Sequence, residues 1–308
     1  MKNKVYTQLL GFAIFTGGTF NASKYAVQYF EAIHIAAWRF GIAAFVMLCL
    51  LKIRKDFDLE VWMQNRTYYL LLGIVGVFGF NFFFFLGMKY TEAVNGALIM
   101  ATNPLVTTLL ASVILREKIV KRQGIGMLLA LIGVVFVLTQ GSFTILQHLS
   151  FSKGDFYILL GNICWALYGV LGRRFIKTGN PIQTTTYTMT IGALAFMIIS
   201  STQKSIVPVL EIPLLAWGAI LFMAIGMSVL GYLWWNNGIA QIGAARTSLF
   251  FNLVPVVTMI ISFVEGVNIA PAQCIGMILV ITGVLCSSGF IQIKKGSVNI
   301  EHFSSEKC

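Results

Sequence analysis

The chain has 308 residues, of which 57% are hydrophobic and only 11% are charged, and its formal net charge is +11. Soluble domains carry about 25% charged residues, so this composition excludes an ordinary soluble protein and leaves little chain for a water-soluble catalytic domain. It also excludes nucleic-acid binding, because the lysines and arginines lie in short connections between apolar runs and form no concentrated basic face.

The apolar residues fall into blocks that are long enough to cross a bilayer, which requires about 20 mostly apolar residues per helix. Backbone groups in lipid must be satisfied within their own segment, so these continuously apolar blocks are predicted to be α-helices. The weakest block opens with the polar run Thr184-Thr185-Thr186. We therefore expect an all-α membrane protein with ten transmembrane helices in the lipid bilayer, covering residues 5–25, 33–51, 68–88, 93–115, 122–140, 155–175, 184–201, 213–235, 243–264 and 272–292.

Positive charges are distributed unequally between the two sides of this bundle. Seventeen lysines and arginines fall on the side of the two termini, and one more, Arg39, lies inside a predicted helix. The opposite side carries four, namely Lys24, Lys89, Lys153 and Lys204. Cytoplasmic connections are enriched in Lys and Arg, so the bias predicts a multi-pass protein of the plasma (inner) membrane with both termini in the cytoplasm.

The chain repeats itself with an offset of about 150 residues. Leu9-Leu10-Gly11 matches Leu159-Leu160-Gly161, Pro104 matches Pro255, and the segment 123–129 matches 273–279. Five helices per copy is an odd number, so the second copy enters the membrane from the opposite side. Such inverted repeats are a recurring architecture of secondary transporters.

The repeat defines the predicted domains. A first five-helix repeat covers residues 1–141, a second covers 154–292, and residues 293–308 form a cytoplasmic tail.

The repeated pattern resembles the EamA-type transporters of the drug/metabolite transporter superfamily over roughly residues 6–290. The first copy carries the pattern of that family in Asn103-Pro104-Leu105, Glu117, Gln123, Gly126 and Gly133. The second copy has Val254-Pro255-Val256, but Asn268 stands where the acid is expected and Glu265 lies three residues early. The resemblance implies ten helices, inward- and outward-facing states, and passage of a metabolite or drug through a central cavity between the repeats.

Uncharged polar and aromatic residues at membrane depth are candidates for the substrate path. They serve either as substrate contacts or as interhelical hydrogen bonds and packing, and the sequence leaves both open. Ser248, Asn252 and Pro255 share one helix face by their i, i+4, i+7 spacing. Trp234 and Trp235, near the predicted cytoplasmic end, are instead expected to anchor their helix at the membrane interface. The candidates are Thr19, Asn81, Asn103, Trp165, Tyr168, Ser248 and Asn252.

Pro104 and Pro255 are candidate hinges near the midpoints of their predicted helices. Each proline removes a backbone donor and is expected to free the carbonyl four residues earlier, at Met100 and Phe251. Irregular backbone at membrane depth is tolerated where it is buried or lines a cavity. A hinge or cavity-lining role and a simple packing kink both fit this pattern.

Arg39 is the only lysine or arginine well inside a predicted span, about 9 Å from the start of its helix at 1.5 Å per residue. A charge inside a membrane is a functional-site hypothesis by default. Because a planar guanidinium suits bidentate recognition of a carboxylate, we predict that Arg39 contacts an anionic group of the substrate. The alternative is a structural ion pair with Glu31 or Glu92, which lie on the same side.

The remaining residues limit the possible mechanisms. None of the eleven acids and none of the three histidines lies near the middle of a predicted helix, so no carboxylate is placed for proton coupling. The cysteines have no metal-binding spacing, and neither a metal nor another cofactor is expected. A GxxxxGK[ST] loop is absent, which argues against ATP-driven transport by this chain alone.

We therefore predict a secondary transporter, not an enzyme, that works by alternating access without ATP as a monomer or homodimer. Its partner is a small-molecule substrate, either a drug or a metabolite such as an amino acid or related compound. A channel-like facilitator is the main alternative, because the same polar residues would suit a pore. An intramembrane enzyme is more remote, because neither a Gly-x-Ser-Gly element with an intramembrane histidine nor a pair of intramembrane aspartates occurs.

Overall fold

Every regular element that the computed structural model describes is helical. The structure describes residues 2–90, 99–139, 141–147, 152–203, 211–264, 266, 268 and 270–288. The predicted tail 293–308 and the predicted helical residues 93–98 lie outside this part of the chain, as do Glu92 and Glu265. The long helical segments are α1 (Lys2–Ala26), α2 (Ala32–Ile53), α3 (Leu59–Leu72, Gly73–Gly79 and Phe80–Met88), α4 (Asn103–Ile114), α5 (Lys121–Thr139), α6 (Lys153–Phe175), α7 (Pro181–Ser200), α8 (Leu214–Phe222, Met223–Gly231 and Tyr232–Ile242), α9 (Ala244–Ser248, Leu249–Leu253 and Val254–Val264) and α10 (Pro271–Ser288), with a short helix at Phe143–Gln147.

Within the described residues, six helices have the length and apolar composition to cross a membrane, namely α2, α3, α6, α7, α8 and α9. Two further apolar helices, α4 and α10, are shorter in the described part of the chain. The surfaces of these helices are apolar as well: the side chains of Val113, Leu214 and Val264 are 77%, 87% and 80% exposed. Such surfaces suit lipid, while the count of ten membrane helices stays a prediction.

Polar residues fix the helix ends. The Ser152 hydroxyl accepts from the Asp155 amide at the start of α6 while Asp155 accepts from the Ser152 amide, a reciprocal capping box. Asn180 and Gln183 form the same arrangement before α7. Each box satisfies amide groups that have no partner within the helix itself.

In each half of the chain, the first helix packs against helices of the other half. Helix α1 packs against α8 and α9 of the second half, and the matching helix α6 packs against α3 and α4 of the first half. Matching helices also pair directly, α2 with α7 and α5 with α10. The core therefore lies between the halves, and each half completes the other.

The α5–α10 contact is an antiparallel glycine seam. A Cβ atom built on Gly126 would lie 2.6 Å from the Gly283 carbonyl oxygen, and one built on Gly133 would lie 2.6 Å from the Gly276 carbonyl oxygen. Residue numbers rise along one helix as they fall along the other, so the helices run in opposite directions. Small residues allow this approach, which is a common basis of helix packing in membranes.

Two matching helices, α3 and α8, each contain a π-helical stretch, at Gly73–Gly79 and Met223–Gly231. These stretches are also about 150 residues apart in the chain. Gly76 in the first stretch packs on the Tyr168 side chain, and the matching Gly226 packs on Phe15. Such π-helical stretches occur frequently at functional sites.

Alanine at either central glycine of the seam is expected to destabilise the protein. In Gly133→Ala or Gly276→Ala, the new methyl group would meet a backbone carbonyl oxygen at 2.6 Å, so the two helices must move apart. Overpacking of this kind costs about 1–3 kcal/mol. The thermal unfolding midpoint of the purified variants should fall by several °C, as roughly 2–4 °C per kcal/mol is usual.

Gly124→Ala is the matched control, because nothing lies within 4 Å of a Cβ atom at that position of α5. Its unfolding midpoint should equal or exceed that of the wild type, since alanine is the better helix former. Equal losses in all three variants would contradict the packing explanation.

Candidate functional site

Arg39 of α2 is buried against α8. Its side chain is 5% exposed, and its Nε atom donates a hydrogen bond to the Ser228 hydroxyl at 2.8 Å. The guanidinium carbon lies 5.0 Å from the centre of the Phe40 ring. Ser228 belongs to the π-helical stretch of α8, so the irregular backbone supplies the hydrogen-bond acceptor for this arginine.

Within the described part of the chain, no carboxylate oxygen lies within 4.0 Å of Arg39. Glu31 precedes α2, and its carboxylate lies 3.9 Å from the His34 imidazole instead. The alternative pairing with Glu31 is therefore absent in this structure, whereas the pairing with Glu92 lies outside the described residues.

An aromatic cluster of the second half packs against the first half. It consists of Trp165 from α6, Tyr232 and Trp235 from α8, and Phe251 from α9. The Trp165 ring lies 5.0 Å from Trp235 and 5.2 Å from Tyr232, measured between ring centroids. Phe12 of α1 joins at 4.8 Å from Trp235. The aromatic cluster therefore joins helices of both halves.

Trp235 does not anchor its helix at the membrane interface, as the sequence had suggested. Its side chain is 1% exposed and lies inside the aromatic cluster. The interpretation failed because α8 continues to Ile242, beyond the predicted end at residue 235. Trp234 is partly buried and stacks near Phe15, with ring centroids 5.8 Å apart.

Hydrogen bonds extend the cluster to neighbouring helices. The Asn81 amide donates to the Tyr232 hydroxyl at 3.3 Å, which brings α3 and α8 together. The Asn236 amide donates to the Tyr168 hydroxyl at 2.7 Å and to the Thr185 hydroxyl at 2.9 Å. The Tyr168 and Tyr232 rings are in edge contact with centroids 6.0 Å apart, which brings the predicted candidates Asn81 and Tyr168 to the same part of the bundle.

Sequence reasoning missed Ser228, Tyr232 and Asn236, although a signal was available. These residues recur every four positions along α8, which places polar groups on one helix face. The signal was hidden because Asn236 lies beyond the predicted end of the helix.

Asn103 cross-links α4 to α6. Its amide donates to the Asn162 side-chain oxygen at 2.6 Å, and its own oxygen accepts from the Thr107 hydroxyl at 3.2 Å. The Asn162 amide donates in turn to the Ile99 carbonyl at 2.8 Å and to the Thr102 hydroxyl at 3.0 Å. Because both polar atoms of Asn103 are paired within the bundle, the structure favours the interhelical role over substrate contact.

Thr19 and Ser248 bond to their own helices. The Thr19 hydroxyl donates to the Phe15 carbonyl at 2.8 Å, and the Ser248 hydroxyl donates to the Ala245 carbonyl at 2.9 Å. Neither hydrogen bond reaches Arg39 or the aromatic cluster. Asn252 differs, because it directly follows Phe251 of that cluster and is only 1% exposed.

Both candidate hinge prolines follow irregular backbone. The helical path is interrupted by a turn at Thr102, so Pro104 lies in the first turn of α4 and not at the midpoint of a continuous helix. In α9 a 3-10 stretch, Leu249–Leu253, precedes Pro255. The expectation of a free Phe251 carbonyl was wrong, because the Val254 amide donates to it in the tighter 3-10 geometry.

Glu117, the acid of the repeated sequence pattern, does not belong to the site around Arg39 and the aromatic cluster. It lines a surface cavity of about 340 Å³ together with Lys118, Arg173 and Arg246. The cavity lies where the α4–α5 connection meets the end of α8 and the start of α9. Arg173 also donates a hydrogen bond to the Ala240 carbonyl at 2.8 Å. The charges at this surface are exposed, and they lie on the side that carries most lysines and arginines.

These features define a multi-pass helical membrane protein whose matching halves enclose a buried arginine and an aromatic cluster. The chain belongs to the EamA-like transporter family, whose model matches residues 3–139 and again residues 152–289. The resemblance to EamA-type transporters inferred from the sequence is therefore confirmed, and the protein is a membrane transporter.

Relatives agree with this assignment, and a solved structure shares the fold. The chain is 56% identical over 291 residues to the uncharacterized transporter YyaM of Bacillus subtilis, covering 94% of this chain and 95% of the relative. It is 26% identical over 247 residues to an uncharacterized transporter of Archaeoglobus fulgidus, covering 80% and 84%. A crystal structure at 21% identity matches with a TM-score of 0.75 over 92% of this chain and 97% of the other, which supports the fold.

Proposed function

We propose that this protein is a secondary transporter that carries a small carboxylate-bearing metabolite or drug, such as an amino acid or related compound, by alternating access without ATP. The observation that carries the proposal is the burial of Arg39 with a single hydroxyl partner, Ser228, and no described carboxylate nearby. An arginine inside a membrane costs about 2.5–3.5 kcal/mol at a helix centre, so its retention needs a reason. Binding an anionic substrate group supplies one.

The proposed alternating access rests on two inverted five-helix repeats. The antiparallel glycine seam between α5 and α10 and the exchanged packing of α1 and α6 support that arrangement. Discontinuous helices near the middle of the bundle are typical of transporter sites, and the π-helical stretches and proline breaks are irregularities of this kind. In alternating access, one half rocks against the other around Arg39 and the aromatic cluster.

Transport would be tested in two steps. A thermal-shift screen of purified protein against metabolites identifies ligands, because a ligand at 100 times its dissociation constant stabilises by about 2.7 kcal/mol. Counterflow in proteoliposomes then measures whether unlabelled ligand inside drives uptake of labelled ligand from outside. A carrier exchanges its substrate in this way, whereas flux without counterflow would favour the channel alternative.

The proposed orientation places both termini and the α4–α5 connection in the cytoplasm of a plasma (inner) membrane protein. Lys121 and Lys153 are both exposed and lie at the starts of α5 and α6. In a background without the native cysteines, Lys153→Cys should react with an impermeant maleimide in intact cells, and Lys121→Cys only after permeabilisation. The reverse pattern would contradict the orientation that follows from the positive-charge bias.

A further inference from the structure

Three polar atoms of the central site have no hydrogen-bond partner among the residues that the structure describes. They are the indole Nε1 atoms of Trp165 and Trp235 and the side-chain oxygen of Asn252. All three side chains are at most 1% exposed. Buried polar groups in proteins are nearly always hydrogen-bonded, so each exception requires an explanation.

The lack of partners is selective within this region. In the same part of the bundle Asn81 is hydrogen-bonded to Tyr232 at 3.3 Å, and Asn236 is hydrogen-bonded to Tyr168 at 2.7 Å. Elsewhere in the described part of the chain His34, Tyr69 and Tyr187 also have a buried polar atom without a partner, but here two such donors lie on rings that are in contact with each other.

Two of the three groups lie on rings that are in contact, and the third belongs to the residue that follows another ring of the same cluster. The Trp165 and Trp235 rings lie 5.0 Å apart, and both lie near Phe251, at 6.4 Å and 6.3 Å between ring centroids. Asn252 is the next residue in the chain and belongs to the same 3-10 stretch of α9. The cluster and the residue that follows Phe251 therefore carry two N–H donors and one carbonyl acceptor without a partner.

Few chemical groups complement that set. A hydroxyl accepts two hydrogen bonds and donates one, and a primary carboxamide accepts through its oxygen and donates through its nitrogen. An ammonium group only donates, so it would leave both indole N–H groups unpaired. A methyl group would leave all three atoms unpaired.

We propose that Trp165, Trp235 and Asn252 form a second subsite that recognises a hydroxyl or carboxamide at the end of the substrate opposite its carboxylate. The inference rests on the proposed function, in which Arg39 holds the carboxylate. Tyr232 connects the two subsites, because its ring makes edge contacts with both Phe40, at 6.1 Å, and Trp165, at 5.2 Å. The transported class is therefore a carboxylate with a neutral polar far end.

The test uses matched ligands that differ only at the far end. One series is 4-hydroxy-, 4-carbamoyl-, 4-methyl- and 4-(aminomethyl)phenylacetate, and a second is 6-hydroxyhexanoate, 5-carbamoylpentanoate, heptanoate and 6-aminohexanoate. Dissociation constants for the wild type come from thermal shift and isothermal titration. In at least one series the hydroxyl or carboxamide ligand should bind at least about tenfold more tightly than its methyl and ammonium counterparts, since a desolvated donor or acceptor is otherwise left unpaired.

The matched variants are Asn252→Leu, Trp165→Phe and Trp235→Phe, which remove the polar atoms and keep an apolar side chain. In each variant that folds, the affinity ratio between the hydroxyl or carboxamide ligand and its methyl counterpart should fall to about threefold or less. That is well below the roughly tenfold ratio expected for the wild type. The controls Asn237→Leu and Trp217→Phe change a surface pair with Gln8 and an edge contact with Phe30, and should retain the preference. The ligand comparison in the wild type tests the subsite even if none of the variants folds.

The outcomes separate a failure of the second subsite from a failure of the proposed function. Equal affinity for hydroxyl and methyl ligands, with Arg39→Lys weakening both, would overturn the second subsite and leave the proposed transporter standing. A preference that survives in all three variants would also overturn the assignment of these residues. If no carboxylate of either series binds, both the subsite and the role of Arg39 in the proposed function fail.

Discussion

Arg39→Lys should weaken the binding of carboxylate substrates by about 10–100-fold, because lysine cannot reproduce the planar fork of donors that pairs with both carboxylate oxygens. A hydrogen bond to a charged group contributes about 1.5–3 kcal/mol, and each 1.4 kcal/mol corresponds to a factor of ten. Uptake in proteoliposomes and the ligand-induced shift of the unfolding midpoint measure the loss. An amide-capped ligand should bind the wild type poorly and lose little more in the variant.

Arg39→Met separates binding from folding. Removing a buried charge that has only Ser228 as a hydrogen-bond partner should leave the unliganded protein at least as stable as the wild type, because a buried ion replaced by an apolar side chain is often neutral or stabilising. Carboxylate binding should be lost in the same variant. The matched control is Arg66→Lys at an exposed position of α3, which should change neither quantity.

A double-mutant cycle tests the structural alternative. Arg39→Lys is combined in turn with Glu31→Gln and with Glu92→Gln, and the interaction energy is taken from ligand-free unfolding. We expect the two positions to be independent in each cycle. Strong coupling to a glutamate, together with an unchanged preference for carboxylated ligands, would make Arg39 a structural ion-pair residue.

Pro104→Ala and Pro255→Ala should each reduce the transport rate by about 10–100-fold while ligand binding and folding persist. Each proline lies in the first turn of an α-helical stretch that directly follows other helical backbone, across the turn at Thr102 in one case and after the 3-10 stretch Leu249–Leu253 in the other. Alanine supplies the backbone donor that a helix running through this break would use and is up to about 3 kcal/mol more favourable than proline inside a regular helix, so it should favour a continuous α4 or α9. A bias of that size holds the carrier in one facing state. Exchange rates in proteoliposomes and dissociation constants, measured on the same preparations, report the two effects separately.

The matched control for the prolines is Pro181→Ala. Pro181 also occupies the first turn of its helix, but it follows the non-helical residues 176–180, so an alanine there has no preceding helix to join. Transport by this variant should remain at the wild-type level. Normal transport by Pro104→Ala and Pro255→Ala as well would make both prolines packing features and remove the hinge from the mechanism.

The helices could be predicted because hydropathy reports burial in lipid directly. Their ends could not, because α3 and α8 continue through polar residues such as Gln64 and Asn236 that fall outside an apolar window. The π-helical stretches have no signature in composition, since they depend on a shift of backbone hydrogen bonds and not on residue type.

The site was predictable in part. Arg39 stood out as a charge within a span, and Trp165, Tyr168, Asn81 and Asn252 were recognised as polar or aromatic groups at depth. Its partner Ser228 was missed, because the polar face that it shares with Tyr232 and Asn236 runs past the predicted end of α8 and the contact itself depends on how α2 crosses α8. In the sequence Asn103 was as good a candidate for substrate contact as Asn81 or Asn252. Only its hydrogen bonds to α6 show that it links two helices instead.

The exchanged packing of α1 and α6 has a consequence for biosynthesis. Helix α1 leaves the ribosome before α8 and α9, its packing partners, which are synthesised only over residues 214–264. At about 5–20 residues per second, α1 waits on the order of 10–50 s in the membrane before its interface can close. During that interval the polar side chain of Thr16 has its own backbone as a partner but not yet Met227. Neither half can therefore mature alone, whereas the two halves expressed as separate chains contain every contact needed to assemble.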